Sequence, residues 1–348
     1  MKTTLEHQAE KQVPFLRVAQ SRNDNASATL KGATWARLCA TAGAVVWAAL
    51  AVLARIGVAR IGAIELLLLF APLVIVPLGM ELGRVVGGSG RFEDWARRLQ
   101  PGGVLLAVVA MILPLGWKAG LLALGWLCVC VLMAVGGIVG LVQAWRFDAG
   151  AGARVTFGTL VPLKIAQIDL AVGGAWFVAS RLGIRPLGIQ EPIGLLTAVH
   201  FHYAGFASAT IAAATLAFAQ SRETQRWLRF VVPVVVGMPF VVAVGFVVSP
   251  VLKMVAAVLF SASIAVLAIA VRGCGRAAEH PTARSLLQVA AAAVFAGMVL
   301  SGIYAVVDFM GSEVLTIPQT ARTHGILNAF GFCLLGLLGW LVECGQKN

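Results

Sequence analysis

The polar and apolar positions of this chain come in blocks. Apolar runs of about 20 residues recur from end to end, and a helix of that length crosses a hydrocarbon core of roughly 30 Å. Ten spans are predicted: 36–54, 61–82, 103–117, 120–144, 157–180, 192–218, 228–248, 251–271, 286–307 and 322–342. Backbone groups in lipid must be satisfied within the segment, so each run is read as a helix. A membrane β-barrel would need ten-residue alternating segments, and none is visible. The expected fold class is all-α: a polytopic transmembrane helical bundle, forming one domain over residues 35–348. The third run, "GVLLAVVAMILPLGW", is short and carries Pro114, which predicts a tilted, kinked or re-entrant segment. Before it, "RFEDWARRLQ" (91–100) reads as a short amphipathic helix on the inner surface. Phe92 and Trp95 would lie in the interface, with Arg91, Arg97 and Arg98 towards anionic headgroups. Residues 1–34 are polar, lack an apolar stripe and are expected to form a mobile cytoplasmic tail.

Composition supports this reading. Of the 348 residues, 59% are hydrophobic and 12% charged, against roughly 45–50% and 25% in a soluble domain. The net charge of +12 invites a nucleic-acid reading, but its distribution excludes one. With ten spans and a cytoplasmic N-terminus, nineteen of the 27 lysines and arginines fall in inner segments and seven in outer ones. That asymmetry is the positive-inside pattern, with both termini cytoplasmic. The bilayer is the expected partner, with anionic lipid contacts at the inner face. The "ALA" at 49–51 loosely resembles a leader-peptidase site, but the run continues past it, so an uncleaved first span is expected. None of the six cysteines falls in a predicted outer loop, which argues against a disulfide framework. Cys128 and Cys130 lie about 200° apart on a helix and are read as buried small apolar residues, not a metal pair.

Ionisable groups inside spans are costly and are functional candidates by default. They fall in three places. Span 5 carries Lys164, Gln167 and Asp169, with Lys164 near enough to the inner face to snorkel. Span 6 is entered through Glu191 and contains His200, His202 and Tyr203. Spans 9 and 10 bring Tyr304, Asp308, Arg322, His324 and Asn328, with Glu313 between them as an outer-loop partner for Arg322. At 1.5 Å per residue, Asp169, His200 and His202 sit near the midplane. Tyr304 and Asp308 share a helix face near the outer surface, as do His324 and Asn328. The candidate polar site is therefore Asp169, Glu191, His200, His202, Tyr203, Tyr304, Asp308, Arg322, His324 and Asn328, in a cavity open to the extracytoplasmic side. Residues two apart on a helix face nearly opposite sides, so His200 and His202 cannot chelate one metal. His200 shares its face with Thr197 and Tyr203 and is the expected cavity residue. His202 shares its face with Ala198, Gly205, Phe206 and Ala209 and is the expected packing residue.

Two resemblances bear on function. "AVHFHYAG" (198–205) resembles a helix of haem-copper oxidase subunit I, whose two histidines ligate different haems. This chain has five histidines, and His7 and His280 lie in predicted cytoplasmic segments, too few left for two haems and a copper. A wider resemblance is carried by "DLAVGGAWFVASRLGIRPLG" (169–188), "EPIGLLTAVHFHYAGF" (191–206) and "RTHGILNAFGF" (322–332). These blocks resemble the YndJ-like family of bacterial multi-pass membrane proteins, most strongly from about residue 160 onward. That resemblance implies a bacterial inner-membrane address and associates spans 6 and 10, but it assigns no reaction. No Walker loop, dinucleotide fingerprint or H-E-x-x-H helix is present. Three readings stay open: a cavity that binds or transports a small or lipidic ligand, a haem b protein using His200, His202 or His324, and a non-catalytic structural or assembly factor. No cofactor and no metal are expected under the first.

Overall fold

The computed structural model describes residues 34–147, 153–312 and 316–345. The expected tail at 1–34 therefore lies almost wholly outside the described residues, and so does Glu313. The described chain is all-α, with no strand, and contains ten helices. They are α1 (Thr34–Arg55), α2 (Ala63–Gly87), α3 (Arg91–Ile112), α4 (Trp117–Phe147) and α5 (Ala153–Leu182). Then come α6 (Ile193–Phe218), α7 (Arg222–Val248), α8 (Pro250–Ala277), α9 (Pro281–Phe309) and α10 (317–345). Among the described residues, nine of them are long and apolar enough to cross a membrane. The protein is a multi-pass membrane protein.

Local chemistry starts these helices where the pattern predicts. Ser221 and Ser249 accept from the amides of Thr224 and Leu252 at the heads of α7 and α8. Proline at the first position opens α8 and α9, where its missing N–H costs nothing. Glu93 reaches back to the Gly90 amide at 3.1 Å to cap α3.

The tenth helix, α3, differs from expectation. The amphipathic segment and the short third span are one continuous helix through Pro101, and Pro114 lies beyond its end. Two side chains of the polar half reach into the bundle, while Arg91, Trp95 and Arg98 stay exposed. Arg97 turns inward, 3.3 Å from Glu81 on α2 and stacked on Trp35 of α1. Glu93 forms a buried ion pair with Lys164 of α5 at 2.6 Å, so Lys164 does not snorkel. At the other end Met111 lies against Arg181, one residue before α5 finishes. Helix α3 thus runs the thickness of the bundle with its apolar half at one end only.

Helices α2 and α6 form the centre. Helix α6 packs on α2, α5, α7, α8 and α10. Residues 207–215 of α6, "ASATIAAAT", are all buried, and such small side chains let helix backbones approach closely. Helix α1 is peripheral, tied to α2 by Trp47, whose indole N–H donates to the Leu66 carbonyl at 2.8 Å. Cys130 is buried, whereas Cys128, expected to be buried too, points outward; none of the cysteines is in a disulfide. The two lie on opposite faces of α4, and only one face meets the bundle.

Candidate functional site

The centre of the bundle is built on broken α-helical pairing. Helix α2 turns π-helical at Ala71–Ile75, α6 at Phe201–Ala207, and α10 at Ala321–Gly325 and Leu327–Leu334. The stretches in α2, α6 and α10 touch one another. π-turns recur at functional sites because they free backbone groups and re-aim side chains. In α2 the cause is in the sequence. The Ala71 amide bonds the Leu68 carbonyl and Pro72 has no N–H, so Leu67 O loses its backbone donor. The Tyr203 hydroxyl of α6 supplies one at 2.8 Å. Likewise the Val76 amide pairs with Ala71 O and Pro77 has no N–H, so Pro72 O accepts from Gln100 Nε2 of α3 at 3.0 Å. Tyr203→Phe strands a buried carbonyl, and the thermal unfolding of the purified variant should report a loss of about 1–3 kcal/mol. No physical cause is evident for the π-turns of α6 and α10, which lack proline there.

Beside these turns lies a cavity of about 410 Å³, bounded by α2 and α6–α10. Six of the ten candidate site residues line it: His200, Tyr203, Tyr304, Asp308, His324 and Asn328. His200 lies edge-on to Phe201 and Phe260, and its Nε2 has no hydrogen-bond partner. His324 Nδ1 lies 3.0 Å from the Gly297 carbonyl, and the Asn328 amide donates back to the His324 carbonyl at 2.8 Å. At the mouth, Asp308 pairs with Lys253 at 2.7 Å.

The remaining four candidates lie elsewhere. His202 is fully buried, with Nδ1 2.7 Å from its own helix's Ala198 carbonyl and Nε2 accepting from the Trp126 indole of α4 at 3.0 Å. Both nitrogens are engaged, which fixes the proton on Nδ1 and welds α6 to α4. Asp169 is also fully buried, packed on Gly205, and neither carboxylate oxygen has a partner. It is separate from the cavity lining. Glu191 is exposed and caps α6 by accepting from the Leu195 amide at 3.0 Å. Arg322 is exposed at the head of α10 and does not line the cavity.

Sequence reasoning counted Lys253 only as an outer-loop charge. A signal was available. Helices α8 and α9 are consecutive, antiparallel and 28 and 29 residues long, so a group at the head of α8 must meet one at the end of α9. Ser208, Ser301 and Cys333, also in the lining, carry no such signal.

Comparison with known proteins agrees with this architecture. The sequence model of a family described as YndJ-like protein matches residues 66–332. The chain belongs to the YndJ-like family. The matched region holds every lining residue of the cavity except Cys333. A curated YndJ-like relative, described as the uncharacterised membrane protein YndJ of Bacillus subtilis (strain 168), is 31% identical over 177 residues. That stretch is 51% of this chain and 32% of the relative, so the chain spans about a third of that protein's length where it matches. No solved structure matches the chain.

Proposed function

We propose that this YndJ-like protein binds a small or lipidic ligand in the cavity between α6 and α10 and transports it across the bacterial inner membrane. The observation that carries the reading is the convergence of polar side chains from α6, α8, α9 and α10, six of the candidate residues among them, on one space of about 410 Å³. Ligand sites of this kind hold roughly 300–1,000 Å³ and combine apolar walls with a few placed polar groups. The charge asymmetry of the loops supports cytoplasmic termini. Ten crossings then put the mouth, with Lys253 and Asp308, on the extracytoplasmic side. Asp169, buried without a partner beside α6, is the residue proposed to carry protons in this cycle.

A cysteine placed on the cavity lining offers a direct test. With all six native cysteines replaced by alanine and Ser301→Cys introduced, a membrane-impermeant maleimide added outside should label position 301, and Ala257→Trp in the cavity wall should block that labelling. Labelling from the cytoplasmic side alone would reverse the orientation. Asp169→Asn, close in shape and unable to ionise, should keep the unfolding temperature while abolishing transport.

A second reading, haem b, has two cavity-lining imidazoles in its favour, those of His200 and His324. His202 is committed to Trp126 and Ala198. Purified protein given stoichiometric haem should then show a Soret band that His200→Ala removes, and a colourless product ends this reading.

A further inference from the structure

The two sides of the cavity differ in chemistry along its length, and this difference points to the class of ligand. The inference rests on the ligand-binding reading above. Apart from Lys253, α7 and α8 contribute only apolar side chains to the lining, Phe246, Met254 and Phe260 among them. The other polar lining groups all come from α6, α9 and α10. They form stripes that run with the helices: from Thr197 to Ser208 on α6, from Ser301 to Asp308 on α9, and from Thr320 to Asn328 on α10. At 1.5 Å per residue these stripes extend over roughly 10–16 Å. A head-and-tail amphiphile needs its polar contacts gathered at one end of a site. This cavity has them spread along one side. The lysine and the carboxylate on its lining neutralise each other at the mouth at 2.7 Å.

We propose that the ligand is facially amphiphilic: a rigid, polycyclic molecule with an apolar face against α7 and α8 and hydroxyl groups along the opposite edge. The His200 ring, which lines the cavity from α6, is the imidazole placed to meet a ligand hydroxyl there. The hydroxyls of Ser301 and Tyr304, which line the same side, are placed to meet others. A site built around hydrogen-bonding groups discriminates strongly against analogues that lack the matching hydroxyl, because its own polar groups are then left unpaired.

A graded steroid acid series tests this. Cholanic acid, lithocholate, deoxycholate and cholate share one nucleus and one carboxylate tail, and add hydroxyls on a single face. Partition into lipid falls along the same series. The full chain is placed in lipid nanodiscs, binding is measured by equilibrium dialysis against empty discs, and palmitate serves as the head-and-tail comparison. Site affinity should rise by roughly tenfold or more from cholanic acid to cholate, against the partition order. His200→Leu and, independently, Tyr304→Phe should flatten the rise. Affinity that falls with each added hydroxyl overturns the proposal. So does palmitate binding that Ala257→Trp blocks while no steroid competes, an outcome that leaves the cavity reading standing. If Ala257→Trp reduces the binding of no probe, the cavity reading falls and this inference with it.

Discussion

Lys164→Met should lower the stability of the purified protein by about 3–5 kcal/mol, the cost of leaving one member of a buried ion pair without its counter-charge. The Glu93 carboxylate lies 2.6 Å from the Lys164 ammonium, and each side chain is 8% exposed. Helix α4 makes room for the pair. A side chain at Gly136 would collide with the Glu93 carboxylate, and one at Gly140 with the Lys164 stem. Removing the lysine strands a carboxylate with neither water nor a counter-ion, whereas Glu93→Gln together with Lys164→Met removes both charges. Thermal unfolding in detergent should find the double variant more stable than Lys164→Met alone. If the two variants unfold together, the pair is solvated and the buried-charge account fails.

The second large effect is steric. At Gly137 an added methyl group would lie 2.5 Å from the Lys164 carbonyl oxygen, a backbone atom of α5 that cannot swing aside. Gly137→Ala should therefore force α4 and α5 apart and cost about 1–3 kcal/mol. Gly102 on α3 has open space where its methyl would go. Gly102→Ala should be neutral or gain up to about 1 kcal/mol from reduced backbone freedom. The same chemical change with opposite signs, read as two unfolding temperatures, isolates helix contact from helix propensity. Equal shifts would mean that α4 and α5 are not in contact at Gly137.

These predictions lie where sequence reasoning reached least far. Lys164 looked like a lysine snorkelling to the inner face, because nothing in its own run names Glu93, 71 residues away. The amphipathic look of 91–100 suggested a surface helix. Its Arg97 and Glu93 are instead spent on Glu81 and Lys164, which lie on helices that only folding brings alongside. The opposed faces of His200 and His202 were legible, since a spacing of two residues sets them apart on any helix. That one faces a cavity and the other an indole was not. Asp169 and His200 share a depth, yet α5 presents Asp169 to Gly205 and not to the cavity. Depth is a one-dimensional quantity and says nothing of azimuth.

What this sequence determined alone is its ten-helix membrane architecture, because the bilayer imposes segment length and apolarity locally, run by run. Shared helix faces that follow from local spacing, such as that of Tyr304 and Asp308, came with it. Tertiary structure alone decided which polar groups share a space. Helix rotation and tilt follow from packing against several neighbours at once, and from the Leu67 and Pro72 carbonyls' demand for donors on other helices. The cavity, the Lys253–Asp308 pair at its mouth and the buried Glu93–Lys164 pair all depend on those rotations.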